Sequence, residues 1–504
     1  MSSVADTIQT AEERLPPRGR SQELFRQATQ YFTGNGLAVL SSVISYPLLT
    51  RLLTQRDYGM MTIISSSLFL AVSISKVGLQ NAVVRFYPEH SALGQNVVFR
   101  STLFWAPVIN AAGLACVLLA VLSAVAPQIT SYPLRTILFA AAPIVVLETA
   151  QAMLLNFMRA ARQAARYAVV YTVIRYGQLA FCLAILVLVR RDLVGFYMGW
   201  LIWDVAEIAY LMYGALFSER TLRFGHCDCR ILKRALHFGA PLLFMEIGNM
   251  LLTYADRYVI AGSMGTVETA IYSVAYNFTF SVQGLLVTSL SSFVFPWASE
   301  IWTKHSRKET EQFASRVLDY FLVIAIPACV GVAILRTPIM VVFASSKYAG
   351  SASLLPPLIA AQISFGVYVV LSLGLFLQKR TGTMAWQMII ATGVNIIANL
   401  ILIPRVGLMG AAWAMVAANG LLILMVMKTS LPLLRVKPDW ILLSKVVVAT
   451  IIMAIFVHSI PFTGNLSRLV VGAFVGVGIY SSFVIIMDQK LRQFIGQQLH
   501  GVRS

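Results

Sequence analysis

About fourteen apolar stretches of membrane-spanning length run through this chain, and no soluble fold buries that many. A helix needs about 20 apolar residues to cross roughly 30 Å of hydrocarbon. Stretches of that kind lie at residues 31–52, 58–80, 102–126, 136–158, 167–189, 193–217 and 236–261. The series continues at 270–297, 317–335, 354–377, 384–403, 408–427, 440–460 and 466–487. With 58% hydrophobic and only 12% charged residues, the composition lies far from that of soluble domains. The pattern predicts an all-α integral membrane protein with about fourteen transmembrane helices, and it excludes a soluble enzyme.

The formal net charge of +18 would suggest nucleic acid in a soluble protein, but its placement explains it better. Segments on alternate sides of the spans hold 27 of the lysines and arginines, and the opposite loops hold 9. The basic side includes Arg85, Arg100, Arg159, Arg162, Arg166 and the cluster from Arg220 to Arg234. This is the positive-inside signature. It predicts a cytoplasmic N-terminus, a cytoplasmic C-terminus and an even number of spans, with no call for nucleic acid as a partner.

The first thirty residues are polar and carry four arginines and four acids, so a cleavable signal peptide is not expected and the first span serves as the insertion signal. Cys116, Cys182 and Cys329 lie in apolar stretches, where a free thiol is usually a small buried hydrophobe. The run His226-Cys227-Asp228-Cys229 has metal-capable side chains but lacks a second cluster to complete four ligands. No metal or cofactor is expected. The loops are short and contain no GxxxxGK[ST] phosphate loop, and the acids of the outer loops, Asp57, Asp192 and Glu268, are isolated. The chain is therefore not expected to be an enzyme or to hydrolyse ATP.

An internal repeat refines the architecture. The first span closes on Pro47-Leu48-Leu49-Thr50-Arg51 and leads to Asp57-Tyr58-Gly59, while the seventh closes on Tyr254-Ala255-Asp256-Arg257 and leads to Ile271-Tyr272. The spans that follow end in Arg85-Phe86-Tyr87-Pro88-Glu89 and in Phe295-Pro296, with Glu300 beyond. Six spans separate the copies, so the repeats share one orientation, related by an axis along the membrane normal. The layout expected is a tail at 1–30, a six-helix lobe at 31–217 and a linker at 218–235. A second six-helix lobe at 236–428, an extra helix pair at 429–487 and a tail at 488–504 complete it.

These motifs, with Gly78-Leu79-Gln80-Asn81 before Arg85 and Ile271-Tyr272-Ser273-Val274-Ala275-Tyr276, resemble the polysaccharide (Wzx-type) flippases of the multidrug/oligosaccharidyl-lipid/polysaccharide exporter superfamily. The resemblance implies a MATE-like fold in a bacterial inner membrane. It also implies alternating access and a substrate of undecaprenyl-pyrophosphate-linked oligosaccharide, moved during polysaccharide biosynthesis. Membrane lipids, a polymerase and a chain-length regulator are the partners it would lead one to expect. A lipid II flippase and a MATE-type cation or drug antiporter are the alternatives within the superfamily.

The residues fit such cargo. A diphosphate headgroup crossing hydrocarbon needs cations, and three lie within the spans: Lys76, Arg175 and Arg257. A charge at mid-membrane costs about 2.5–3.5 kcal/mol on insertion scales, so it usually faces a cavity or a partner. Arginine offers a bidentate fork for phosphate, and lysine a point charge. Snorkelling to headgroups is the other reading for Lys76 and Arg257. Arg51 and Asp256 are placed at the outer mouth. The intramembrane acids are Glu148, Asp204, Glu207 and Glu246, with Asp204 and Glu207 on one helix face. Close carboxylates in a low dielectric resist ionising together, which suggests proton coupling; structural pairing with the three cations is the competing reading.

Prolines inside the spans, at 47, 107, 143, 241 and 327, remove backbone hydrogen bonds and suit helices that bend. Tryptophans at span ends, such as Trp200, Trp203, Trp297, Trp302 and Trp440, read as interface anchors. By the resemblance, the last two spans would form a lipid-facing groove for the polyprenyl tail.

Overall fold

The computed structural model describes residues 36–37, 40–41, 44–125, 132–218, 222–223, 225–460 and 464–487. The expected tails at 1–30 and 488–504, and the start of the first span, lie outside the described residues. Among the described residues there are helices, turns and loops but no strand, and twelve helices are long and apolar enough to cross a membrane. Helix α1 (44–52) is the described end of the first span. The sixth span is helix α7, Leu193–Tyr213, which is not among those twelve.

The chain forms two compact units, one of residues 1–45 and 63–250 and the other of 46–62 and 251–504. The first contains most of α2 (Gln55–Lys76) with α3 (Leu79–Ala92), α4 (Asn96–Val125), α5 (Tyr132–Ala160), α6 (Ala164–Leu188), α7 and the start of α8 (Cys229–Ser263). Its core joins Leu79, Val83 and Phe86 of α3 to Phe99, Leu103 and Phe104 of α4 and to Met153 and Phe157 of α5. The division differs from one at the 218–235 linker. Residues 229–235 of that expected linker are already helical, because the basic start of α8 continues the helix of the seventh span.

The second unit holds α9 (Thr266–Gln283), α10 (Ser289–Lys304), α11 (Arg307–Ile334), α12 (Arg336–Phe343) and α13 (Leu355–Leu371). It continues through α14 (Leu373–Leu377), α15 (Thr381–Val406), α16 (Leu408–Ser430), α17 (Trp440–Ser459) and α18 (Asn465–Met487). Val294 and Ala298 of α10, Leu318 of α11, Val370 of α13 and Val426 of α16 meet in its core. The extra helix pair packs on α11 through α17. The approach to α17 is a polar zipper. Glu311 Oε1, Ser315 Oγ and Asp319 Oδ1 accept the backbone N–H groups of Arg435, Lys437 and Asp439 at 3.0, 3.0 and 2.9 Å. Four helical residues rise about as far as two extended ones, so the two periods stay in step. Asp439 then caps α17 by accepting from the N–H groups of Ile441 and Leu442.

Two spans that the hydropathy predicts as continuous are interrupted. The second breaks between α2 and α3, where Val77 and Gly78 have φ of 48° and 71°. The eighth breaks between α9 and α10 at a wide helical turn, Gly284–Thr288. The corresponding span of each repeat copy is thus broken near the same place, and each second piece carries its motif proline, Pro88 or Pro296. The glycine at the first break is required twice over. A Cβ on Gly78 would lie 2.0 Å from the carbonyl oxygen of Gly239 on α8, and one on Gly239 would lie 2.7 Å from the carbonyl oxygen of Gly78.

Gly78→Ala therefore meets both a left-handed backbone and a backbone clash. It should destabilise the protein by about 1–3 kcal/mol. Gly113→Ala, in α4 with open space around it, should melt at or slightly above the parent temperature. Thermal unfolding of the purified protein in detergent checks this, and an unchanged midpoint for Gly78→Ala would contradict it.

Candidate functional site

Helix periodicity gathers the intramembrane charges into three clusters, two in the first unit and one in the second. In the first unit, Glu148 and Gln151 lie one turn apart on α5, while Trp200, Asp204 and Glu207 form one stripe of α7. The two stripes face each other. Trp200 Nε1 donates to Glu148 Oε1 at 3.1 Å, and Gln151 Nε2 donates to Glu207 Oε1. Arg175 of α6 lies within Coulombic reach of Glu148 and Glu207, with its guanidinium 5.2 Å from the centre of the Tyr171 ring. Asp204 is 1% exposed, and neither of its carboxylate oxygens accepts a hydrogen bond from the described protein. A buried carboxylate without a donor is rare in folded proteins and calls for a functional explanation.

The second cluster surrounds Glu246 on α8. Lys76 Nζ donates to its Oε1 at 2.9 Å, and Ser73 Oγ donates to the same oxygen at 2.8 Å. Gln80 Nε2 donates to the other oxygen. The break at Val77 and Gly78 lets Ser73 and Lys76, at the end of α2, converge with Gln80 at the start of α3 on one carboxylate. Lys76 is thus paired, at 13% side-chain exposure, and does not snorkel.

The third cluster, in the second unit, encloses Arg257. It is 1% exposed, with its guanidinium carbon 4.7 Å from the centres of both the Tyr254 and the Tyr276 rings. Nη2 donates to Asn277 Oδ1 at 2.8 Å, Nε to Ser273 Oγ at 3.3 Å and Nη1 to the Thr253 carbonyl at 3.4 Å. Asp256 is also buried, accepting from the Arg257 backbone N–H at 2.8 Å and from the Tyr272 hydroxyl. Arg257 therefore does not reach the headgroups. Arg51 instead braces the unit's own loops, donating to the carbonyls of Pro47 and Val342, both at 2.8 Å. Lys347 Nζ in turn donates to the carbonyl of Leu53 at 2.9 Å. Close packing explains the motif glycine that follows: a Cβ on Gly59 would lie 1.8 Å from the carbonyl oxygen of Thr266.

The structure thus brings Glu148, Arg175, Asp204 and Glu207 together, pairs Lys76 with Glu246, and joins Arg257 to Asp256 in one cage. Sequence reasoning missed the neutral partners. Ser73, Gln80, Gln151, Asn277 and Ser273 carry no charge to advertise them. The spacing of Tyr272, Ser273, Tyr276 and Asn277 does mark one face of α9, and that face is the wall of the Arg257 cage.

An all-α multi-pass membrane protein with paired charges inside its helices is the class that this fold defines. Residues 48–353 match the model of a family described as polysaccharide biosynthesis protein, and the chain belongs to that family. It is 22% identical over 253 residues to the "Probable low-salt glycan biosynthesis flippase Agl15" of Haloferax volcanii, a match covering 49% of this chain and 53% of that protein. The chain spans about half the length of the curated relatives it matches. Its fold is that of the lipid II flippase MurJ in an inward closed conformation, with a TM-score of 0.73 at 17% identity, covering 92% of this chain and 99% of that one. An inward-facing multidrug MATE transporter aligns with a TM-score of 0.57 at 15% identity over 80% of this chain and 93% of its own.

Breaking the Lys76–Glu246 pair from either side leaves a partly buried charge. A double-mutant cycle of Lys76→Met and Glu246→Leu should show a coupling of about 1–3 kcal/mol in unfolding measured in detergent. Additive effects of the two substitutions would mean that the pair does not hold α8 against α2 and α3.

Proposed function

We propose that this chain is a flippase that carries undecaprenyl-pyrophosphate-linked oligosaccharide repeat units across a bacterial inner membrane, for polysaccharide biosynthesis, by ion-coupled alternating access. Membership of the polysaccharide biosynthesis family and the fold shared with a lipid II flippase support the reading. The observation that carries it is the acid and arginine cluster of the first unit, where Asp204 is buried beside Glu148, Glu207, Arg175 and the Trp200 indole, and neither of its oxygens accepts a well-formed hydrogen bond from the described residues. The basic loops face the cytoplasm in this reading, where a polymerase-linked pathway supplies the cargo, and a polymerase and a chain-length regulator receive it outside.

The mechanism follows from charge. A diphosphate headgroup moving outward travels with an inside-negative membrane potential, which contributes about 2.3 kcal/mol per elementary charge per 100 mV. Arg175 takes the phosphates with its planar fork. Their negative charge beside Asp204 favours a proton on that carboxylate, so the acid is neutral while the cargo is bound and does not repel the phosphates. Lys76 adds a second cation when Glu246 gives it up. Arg257, enclosed by its tyrosines, holds α8 and α9 in place and touches no phosphate. No covalent bond forms or breaks, so the chain acts as a carrier and not an enzyme.

Leaflet-resolved flipping in proteoliposomes tests this, using undecaprenyl-pyrophosphate oligosaccharide with an imposed potential and a range of pH on the loading side. The parent protein should flip faster with the potential and at lower loading pH. Arg175→Ala should lower the rate by at least tenfold. Asp204→Asn, which mimics the protonated carboxyl, should keep flipping but lose the response to pH. Unaltered flipping by Arg175→Ala at normal protein levels would remove the phosphate role, and efflux of a cationic dye without glycan movement would favour an antiporter.

A further inference from the structure

The end of the first unit that bears the basic segments contains a cavity of about 250 Å³, apart from the acid cluster, lined among others by Arg100, Phe157, Arg166, Tyr210, Tyr213 and Gly214. Among the described lining residues are two guanidinium groups and no carboxylate. Arg100 is held in place from one side: Nη2 donates to the Tyr87 hydroxyl at 2.9 Å, and its guanidinium carbon lies 5.3 Å from the Tyr87 ring centre and 5.8 Å from that of Phe157. Its Nε is buried with no acceptor among the described residues. The side chain also lines the cavity, where no described lining residue offers a carboxylate to offset its charge, and an anion received there would supply that partner.

The walls indicate what kind of anion. The cavity opens where α7 passes into a wide helical turn, Gly214–Ser218, a distortion common at functional sites. Leu222 closes one side, its N–H donating to the Ala215 carbonyl at 3.2 Å. The segment beyond is pinned to the start of α4, where Ser101 Oγ and Thr102 Oγ1 accept from the backbone N–H groups of Arg223 and Asp228. Leu154, Met158 and Leu211 supply apolar wall, and Tyr210 and Tyr213 stand outside at 75% and 65% exposure. Exposed tyrosines at a helix end are characteristic of the membrane interface. Basic pockets among membrane helices on the cytoplasmic side suit phosphate-bearing lipid heads.

We propose that this cavity is a binding site for the phosphate group of a lipid head, held by Arg100 and Arg166, with Tyr210 and Tyr213 against the lipid at the interface. The site is separate from the Asp204 cluster, and the proposal does not depend on what the chain transports.

Native mass spectrometry of the full-length protein in detergent tests it, with phosphatidylglycerol as the lipid probe and inorganic pyrophosphate as the soluble one. The parent protein should bind phosphatidylglycerol, and Arg166→Gln should weaken that binding at least fivefold. Arg100→Gln also removes the Tyr87 bond at the start of α4, so Gly214→Leu is the second variant. Its new side chain enters open space, fills the cavity and leaves both arginines intact; it should also weaken binding at least fivefold while melting near the parent temperature. Unchanged lipid binding in Arg166→Gln and Gly214→Leu would overturn the proposal. Binding of inorganic pyrophosphate with the same dependence on Arg166 and Gly214, and no lipid binding, would overturn the lipid assignment.

Discussion

A charge inside a membrane-spanning helix has to be compensated where it stands, and that requirement organises both units of this protein. The cost of an uncompensated charge in hydrocarbon is a substantial fraction of the stability of a domain. Glu246 therefore gathers Lys76, Ser73 and Gln80, and to do so the second span must break at Gly78. Arg257 is compensated differently, by two tyrosine faces, an amide oxygen and a hydroxyl. A guanidinium is weakly hydrated and stacks on aromatic rings, which makes it suited to such a cage where an ammonium would not be. Against this background Asp204 stands out, because among the described residues neither of its two buried carboxylate oxygens accepts a well-formed hydrogen bond.

Much of the fold is legible in the sequence because hydrocarbon imposes a length and a composition that few soluble segments share. The interruptions are not. Val77-Gly78 lies beside Lys76, Gln80 and Asn81, where the sequence reads as the approaching end of a span, and in the run around Gly284–Thr288 a glycine in an apolar helix is too common to mark a break. Helix α12 and the tight turn Ser346–Leu354 also escape a reading by spans, because they are too short to cross a membrane. Their place follows from hydrogen bonds to residues nearly three hundred positions earlier, such as Gln55 Nε2 to the Lys347 carbonyl at 2.7 Å. Sequence spacing cannot carry information of that range.

The charged members of the site were legible for the same reason as the spans, since each is conspicuous against an apolar stretch. Their partnerships were not. Asp204 and Glu207 share a face of α7 by spacing alone, but only the packing of α5 on α7 shows that Glu207 has Gln151 as a donor, while among the described residues Asp204 accepts no well-formed hydrogen bond. Arg100 illustrates the opposite case. As one of many cations on the basic side it reads as a topological signal, and its buried Nε appears only once Tyr87 and Phe157 are placed around it.

The most direct test of the account is whether Asp204 changes protonation when cargo arrives. Infrared difference spectroscopy of the protein in lipid, recorded on adding undecaprenyl-pyrophosphate oligosaccharide, reads the carboxylic C=O stretch of a newly protonated acid. The account predicts such a band in the parent protein and its loss in Asp204→Asn. The same difference spectrum in both proteins would show that the buried carboxylate plays no part in carrying the load.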